Sequence, residues 1–228
     1  DKFGAGHYIA TVDHVVDVPQ DYAVVFYDPS SSEFDENAIE RAEIIATEPE
    51  KDLAILKISN KPLSAKGSKL VESIDEASIG DDVQAVGHPN SMWWTYTRGY
   101  ISQFRESYEW FYDDDSPRMQ ADVVQTQTPI STGNSGGPLF TQNGDVLGLN
   151  AFGDPEFQSI NFAISANELI NFAKNLSALP NLRGSITLKS LIIPSSENWR
   201  TINEYDLNED GRIDAVVYDT NGNGSIDL

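Results

Sequence analysis

A glycine-rich turn carries the strongest chemical signal in this 228-residue chain. The run Thr132-Gly133-Asn134-Ser135-Gly136-Gly137 holds a serine between glycines and is followed by an apolar segment. Glycine at 133 and 136 permits backbone angles that a side chain would forbid, so that such a turn can aim two amides at one point. A serine hydroxyl is a poor nucleophile at neutral pH and needs a general base that a carboxylate orients. Ser135 is predicted to be a nucleophile if both partners exist elsewhere in the chain.

The best candidate for the base is His14. The apolar, strand-like residues 8–12 lead into it just before a turn. The two other histidines fit less well, because His7 begins the same apolar run and His88 lies in a Gly-His-Pro turn. We therefore assign the base to His14.

The orienting carboxylate is best assigned to Asp52. This residue opens the apolar segment 53–58, where one carboxylate can be buried at the start of a strand. The chain order is then His, Asp, Ser. Unrelated serine hydrolases build the same geometry in other orders, and the chymotrypsin-like enzymes use this one.

Six segments in register resemble the trypsin-like serine proteases of the HtrA/Deg type. They are residues 11–16, 52–58, 80–89, 97–102, 125–139 and 160–164. The resemblance implies an all-β fold of two six-stranded antiparallel β-barrels of the chymotrypsin type, one C-terminal helix and a small calcium-loop tail. The many short apolar runs separated by Gly, Pro, Asn and Asp independently favour an all-β architecture.

The predicted domain organisation follows from the same segments. A protease domain spans residues 1–177, with barrels at roughly 1–63 and 78–165 and a helix at 166–177. Ser165 or Asn167 is expected to cap that helix, because apolar residues recur at helical spacing after them. Residues 178–204 are predicted to be a linker, and residues 205–228 tandem calcium-binding loops.

The resemblance also implies a reaction. Ser135 would attack a peptide carbonyl, His14 would accept its proton and return it to the leaving amine, and Asp52 would hold the imidazole in the required tautomer. The amides of Gly133 and Ser135 would form the oxyanion hole. No cofactor is expected for this catalysis. Around the primary specificity pocket, Pro129, Ile130 and residues 149–152 carry no charge, which favours a small or medium apolar side chain in the substrate.

Two departures from the family pattern stand out. Asp13 directly precedes the proposed base, and strand alternation predicts that its carboxylate faces away from the imidazole. Residues 105–117 form an aromatic and acidic insertion at the place where HtrA-like enzymes sense bound peptide. The insertion is predicted to be either a solvated surface loop or a surface that binds peptide or packs a homo-oligomer interface.

The tail contains an internal repeat with the spacing of a calcium loop. Oxygen side chains at loop positions 1, 3, 5 and 9, with glycine at position 6, match EF-hand and dockerin-like repeats. The predicted ligands are Asp206, Asn208, Asp210, Arg212 (by its carbonyl) and Asp214 in the first loop, and Asp219, Asn221, Asn223, Ser225 (by its carbonyl) and Asp227 in the second. The glutamate expected at position 12 is missing, because Val217 occupies that position in the first loop. The alternative is an acidic, turn-rich tail without metal.

Composition limits the classes of partner. The chain has 36 acidic against 15 basic residues, a formal charge of −21, so nucleic acid is excluded as a partner because phosphate binding needs basic surface. It has no cysteine, which excludes disulfides and thiol chemistry. No apolar run has the length of a membrane span. A secreted or periplasmic serine endopeptidase acting on peptides or unfolded proteins is predicted, and a catalytically silent barrel acting as a calcium-dependent binding or surface module is the alternative.

Overall fold

The computed structural model describes residues 7–17, 21–26, 39–61, 65, 67–112, 117–153 and 159–178, together with the backbone of residues 200–205 and 215–219. Within these residues lie twelve β-strands, several short 3-10 helices and one α-helix. Of the predicted all-β fold, a mostly β architecture with one α-helix is confirmed within these residues.

The first sheet has four antiparallel strands in the order β1-β4-β3-β2. They are β1 (His7–Thr11), β2 (Tyr22–Val25), β3 (Ile39–Glu48) and β4 (Leu53–Ile58). β4 lies between β1 and β3 and is buried at every position except Lys57, which explains its nearly continuous apolar sequence. Four strands pair among the described residues, and the six-stranded first barrel stays a prediction.

The second sheet closes into a six-stranded antiparallel barrel in the order β10-β7-β6-β5-β8-β9. Its strands are β5 (Asp82–Gly87), β6 (Thr95–Trp110), β7 (Met119–Thr126), β8 (Pro138–Thr141), β9 (Val146–Gly153) and β10 (Asn161–Ser165). Val83, Ile101, Val124, Leu139 and Leu147 fill its interior. The glycine-rich turn of residues 132–137 immediately precedes β8.

A shared hydrophobic core joins the two sheets. Leu53 and Ile55 of β4 pack in one cluster with Trp110, Met119 and Leu149 of the barrel. The alternate residues of β4 belong to a separate cluster within the first sheet. Because β4 begins directly after Asp52, this packing places the carboxylate next to the barrel.

The helix α1 (Ala166–Ala178) continues from β10. Its first turn is capped as predicted, since the Ser165 hydroxyl accepts a hydrogen bond from the Asn167 amide at 3.3 Å. Leu169 and Phe172 on its apolar face lie in the shared core. Of the helices described, none has the length and hydropathy needed to cross a membrane.

Strands β11 (Arg200–Tyr205) and β12 (Ala215–Asp219) form a separate antiparallel pair. β11 therefore begins inside the segment predicted to be a linker. Tyr205 pairs with Ala215, which brings together the two ends of the segment 206–214 that contains the first predicted calcium loop.

Candidate active site

Two hydrogen bonds join Asp52 to His14. The Asp52 side chain is 1% exposed, and its Oδ1 accepts the backbone N–H of His14 at 2.8 Å. Its Oδ2 lies 2.8 Å from Nδ1 of the imidazole. A carboxylate can only accept, so Nδ1 carries the proton in this contact and Nε2 is left as the acceptor. This is the tautomer in which a histidine can act as a base.

Local backbone structure positions both residues. Asp52 has φ 55° and ψ 47° after the 3-10 helix Pro49–Lys51, which turns its carboxylate out of the strand that follows. β1 pairs with β4, with Thr11 opposite Ala54, and the 3-10 helix Asp13–Val15 follows directly. The strand pairing therefore brings the imidazole to the carboxylate.

The strand alternation on which the prediction for Asp13 rests does not hold in the structure. Asp13 starts a 3-10 helix, so the two-residue alternation of a strand does not apply at this position. Burial and the nearby carboxylates of Asp52 and Asp17 raise the pKa of Asp13, and His14 lowers it by a smaller amount. Asp13 is thus electrostatically coupled to the His14–Asp52 pair.

Two glycines allow the serine turn to pack against both sheets. Gly133 has φ +97°, and a Cβ there would meet the His88 carbonyl oxygen at 2.2 Å. Gly136 has φ +77°, and a Cβ there would meet Thr11 Oγ1 at 2.0 Å. Thr11 ends β1, so the turn carrying Ser135 contacts the chain just before His14.

Backbone hydrogen bonds hold this turn on the barrel. His88 N–H donates to the Gly133 carbonyl at 3.0 Å, and Gly136 N–H donates to the Asn150 carbonyl at 2.7 Å. Within the described part of the chain, the amides of Gly133 and Ser135 donate no backbone hydrogen bond. Both donors are thus available to a ligand.

The hydroxyl of Ser135 is not joined to the imidazole. It donates a long hydrogen bond of 3.4 Å to the Ala151 carbonyl, and among the described residues none links it to His14. The structure therefore brings His14 and Asp52 into direct contact and places the Ser135 turn against their sheet. The hydrogen bond that would complete a triad is not formed in this conformation.

A second network ties Lys51, the residue before Asp52, to the barrel and to α1. Lys51 Nζ donates to Glu168 Oε2 at 2.6 Å, and the other carboxylate oxygen accepts the Asp122 amide at 2.9 Å. The hydrogen bond that Lys51 donates to Glu168 is the main cause that raises the pKa of Lys51, so this side chain stays charged. The network links the residue just before Asp52 to both β7 and α1.

Sequence reasoning missed Tyr112 as a site residue. Its hydroxyl donates to Asp52 Oδ2 at 2.6 Å and lies 2.8 Å from His14 Nδ1. The only signal was the aromatic run Trp110-Phe111-Tyr112 at the start of the acidic insertion. Nothing in that run distinguishes a tyrosine that reaches a buried carboxylate from one on a solvated loop.

The residues predicted to line the specificity pocket differ in how deeply they are buried. Asn150 and Ala151 are buried, whereas Pro129 is exposed. Phe152 lies between Trp110 and Phe162, with ring centroids 4.7 Å from each. The aromatic insertion therefore contributes to the packing beside this strand.

The predicted calcium ligands fall almost entirely outside the described residues. Asp219 ends β12, and its side chain is not described. The remaining ligands are Asp206, Asn208, Asp210, Arg212, Asp214, Asn221, Asn223, Ser225 and Asp227. The calcium assignment stays a prediction from sequence.

The amino-acid sequence of this chain is similar to those of known peptidases. Residues 3–149 match the model of the trypsin-like peptidase domain. The chain is 31% identical over 169 residues to the "Serine protease Do-like HtrB" of Bacillus subtilis, covering 71% of this chain and 34% of that protein. It is 33% identical over 157 residues to a "Probable periplasmic serine endoprotease DegP-like" of Bartonella henselae, covering 65% of this chain and 27% of that protein. The chain thus spans about a third of the length of these relatives.

Solved structures show the same fold. The HtrA-type protease AlgW with decapeptide superposes with a TM-score of 0.61 at 28% identity, covering 76% of this chain and 49% of that chain. The serine endoprotease from Yersinia pestis gives a TM-score of 0.56 at 25% identity, covering 78% of this chain and 55% of that chain. The chain therefore belongs to the trypsin-like peptidase domain family, and within it to the HtrA/DegP type.

Proposed function

We propose that this domain is a serine endopeptidase in which Ser135, His14 and Asp52 form the catalytic triad. The observation that carries the proposal is the double hydrogen bond between His14 and Asp52, at 2.8 Å each, beside the glycine turn that holds Ser135. A buried carboxylate bonded to both the backbone and the ring of one histidine fixes that ring and its tautomer.

The proposed reaction uses the His14 ring, held by Asp52, as the general base. Ser135 Oγ turns from the Ala151 carbonyl toward Nε2 of His14 and gives up a hydrogen bond that, at 3.4 Å, is longer than the usual O–H···O range. Nε2 takes the proton as Oγ attacks the peptide carbonyl, and Asp52 stabilises the imidazolium. The amides of Gly133 and Ser135 bind the oxyanion. His14 then protonates the leaving amine, and water hydrolyses the acyl-enzyme by the same steps.

Labelling with a fluorophosphonate tests the proposal. Intact mass is expected to show one adduct per chain, and peptide mapping is expected to place it on Ser135. Ser131, four residues earlier and more exposed, serves as a control within the chain, because exposure without an oriented base does not activate a hydroxyl. The adduct should vanish in Ser135→Ala. An unlabelled wild-type protein, or an adduct that persists in Ser135→Ala, would refute the mechanism.

The alternative function is a catalytically silent barrel that acts as a calcium-dependent binding or surface module. The missing hydrogen bond between Ser135 and His14 is the observation in its favour. Failure of the wild-type protein to react with fluorophosphonate, with and without calcium, would select this alternative.

We infer that the substrates are peptides or unfolded proteins outside the cytoplasm. The relatives named as periplasmic endoproteases support this inference. The uncharged pocket residues favour cleavage after a small or medium apolar side chain. A homo-oligomer packed through the aromatic insertion stays a prediction.

We also propose that the tail binds structural calcium. The pairing of Tyr205 with Ala215 supports this, because it brings together the ends of the segment 206–214. With few anionic ligands, the affinity should be on the order of 10⁻⁴ to 10⁻³ M, as in extracellular modules. Calorimetric titration with calcium is expected to show binding that disappears when Asp206 and Asp219 are both changed to Ala. Unchanged heats in the double variant would refute the assignment.

A further inference from the structure

We propose that Tyr112 is a positioning residue for the His14–Asp52 pair, to which it supplies a third hydrogen bond on the Asp52 carboxylate. The inference rests on the proposed function, because it assigns Tyr112 a role in the same proton-transfer unit. Tyr112 follows the last residue of β6 by two positions. It reaches Asp52 from the barrel, whereas His14 reaches it from the first sheet.

The hydrogen-bond pattern is fixed by what each group can donate. Asp52 Oδ1 is occupied by the backbone N–H of His14, so that Oδ2 faces both the imidazole Nδ1 at 2.8 Å and the phenol at 2.6 Å. A buried carboxylate accepts charge-assisted bonds, which are stronger than neutral ones. The phenol therefore donates to Oδ2, and Nδ1–H donates to the same oxygen. Nε2 remains unprotonated, as a base requires.

The opposite pattern is disfavoured by the same argument. If the phenol donated to Nδ1, the imidazole proton would lie on Nε2 and Asp52 Oδ2 would lose both donors. The cost of an unsatisfied buried acceptor is greater for a charged group than for a neutral one. The Asp52 carboxylate thus selects the tautomer that keeps Nε2 available, and the hydrogen bond from Tyr112 to Oδ2 is compatible with that tautomer.

Tyr112 stays protonated and can donate throughout the neutral pH range. Burial, followed by the charge and hydrogen bond of Asp52, raises the pKa of Tyr112 well above its usual range. Tyr112 as a whole residue is 41% exposed, while its hydroxyl reaches the buried Asp52 carboxylate.

The chain is anchored just before Tyr112. Trp110 stacks on Phe152 with ring centroids 4.7 Å apart, and it pairs with Met119 across the β6–β7 hairpin. The Tyr112 ring itself is tilted by 56° against the His14 ring, with centroids 4.7 Å apart. Removal of the Tyr112 hydroxyl alone therefore leaves the Trp110–Phe152 contact and the Tyr112–His14 contact in place.

The test compares Tyr112→Phe with Tyr100→Phe. Tyr100 lies on β6, the strand that leads to Tyr112, and is 44% exposed. Its hydroxyl makes no hydrogen bond within the described residues. We measure the rate of fluorophosphonate labelling as a function of pH. Without the phenol, more of the Asp52 charge acts on the imidazolium, so that the base form appears only at higher pH. In Tyr112→Phe, the acidic limb of the rate profile is expected to shift to higher pH by about half a pH unit or more. At a fixed pH on that limb, the labelling rate is then lower by about threefold.

Other charged groups near the pair are unchanged in both variants. Asp13 and Asp17 lie on the His14 side, and Lys51, paired with Glu168, precedes Asp52. A purely structural role of Tyr112 would lower the whole profile without moving its limb. An unmoved limb in Tyr112→Phe, or an equal movement in Tyr100→Phe, would overturn the proposal.

A second readout does not depend on activity. The ¹⁵N NMR signal of the His14 ring can be assigned because it is lost in His14→Gln. The midpoint of its pH titration should shift to higher pH in Tyr112→Phe and should not shift in Tyr100→Phe. If labelling of Ser135 fails in the wild-type protein but the ring titration moves, the proposed function falls while the role of Tyr112 stands. If labelling succeeds and the ring titration does not move, the role of Tyr112 falls alone.

Discussion

Asp52→Asn is expected to slow fluorophosphonate labelling of Ser135 by about 10⁴-fold at neutral pH, as the same change does in comparable enzymes. An amide can keep the bond from the His14 backbone N–H to one side-chain oxygen. Its NH₂ group then faces Nδ1, which must become an acceptor and transfers the imidazole proton to Nε2. The ring keeps its place but loses its ability to accept the serine proton.

The control for this change is Asp145→Asn. Asp145 pairs with Lys69 at 3.4 Å on the exposed side of the barrel, where loss of the pair has little effect on stability. The Asp145→Asn variant should be labelled at the same rate as the wild-type protein. A loss of less than about tenfold in Asp52→Asn would show that Asp52 does not control the tautomer of His14.

Gly133→Ala is expected to slow labelling by about 10²- to 10³-fold, the cost of one oxyanion donor. A methyl group at 133 would lie 2.2 Å from the His88 carbonyl oxygen, which belongs to the backbone. The turn must therefore shift, and the amides of residues 133 and 135 no longer point to a common place. The positive φ of +97° adds strain for a residue with a side chain.

Gly144→Ala is the control that separates backbone strain at a positive φ from displacement of the turn. Gly144 also has a positive φ, +84°, but a methyl group there meets nothing within 4 Å. Urea denaturation should show that both variants lose about 1–2 kcal/mol from the left-handed backbone, with a further loss in Gly133→Ala from the clash. Labelling should stay normal in Gly144→Ala. Equal labelling rates in the two variants would contradict a role for the Gly133 turn in oxyanion binding.

Local sequence determined the elements that carry the candidate site. The apolar run after Asp52 predicted a buried strand, and the residue pattern after Ser165 predicted a capped helix. The glycines of the serine turn predicted a backbone that side chains would not allow. Each of these features depends on neighbours within a few residues, so that periodicity and turn chemistry suffice to recognise it.

The tertiary structure decided which side chains meet. Strand alternation failed for Asp13 because the chain leaves β1 as a 3-10 helix. Tyr112 reaches Asp52 across sixty positions of sequence, and Glu168 reaches Lys51 across more than a hundred. These contacts depend on how the first sheet packs against the barrel. Sequence spacing contains no direct record of that packing, because it results from the fit of two whole hydrophobic surfaces rather than from any local pattern.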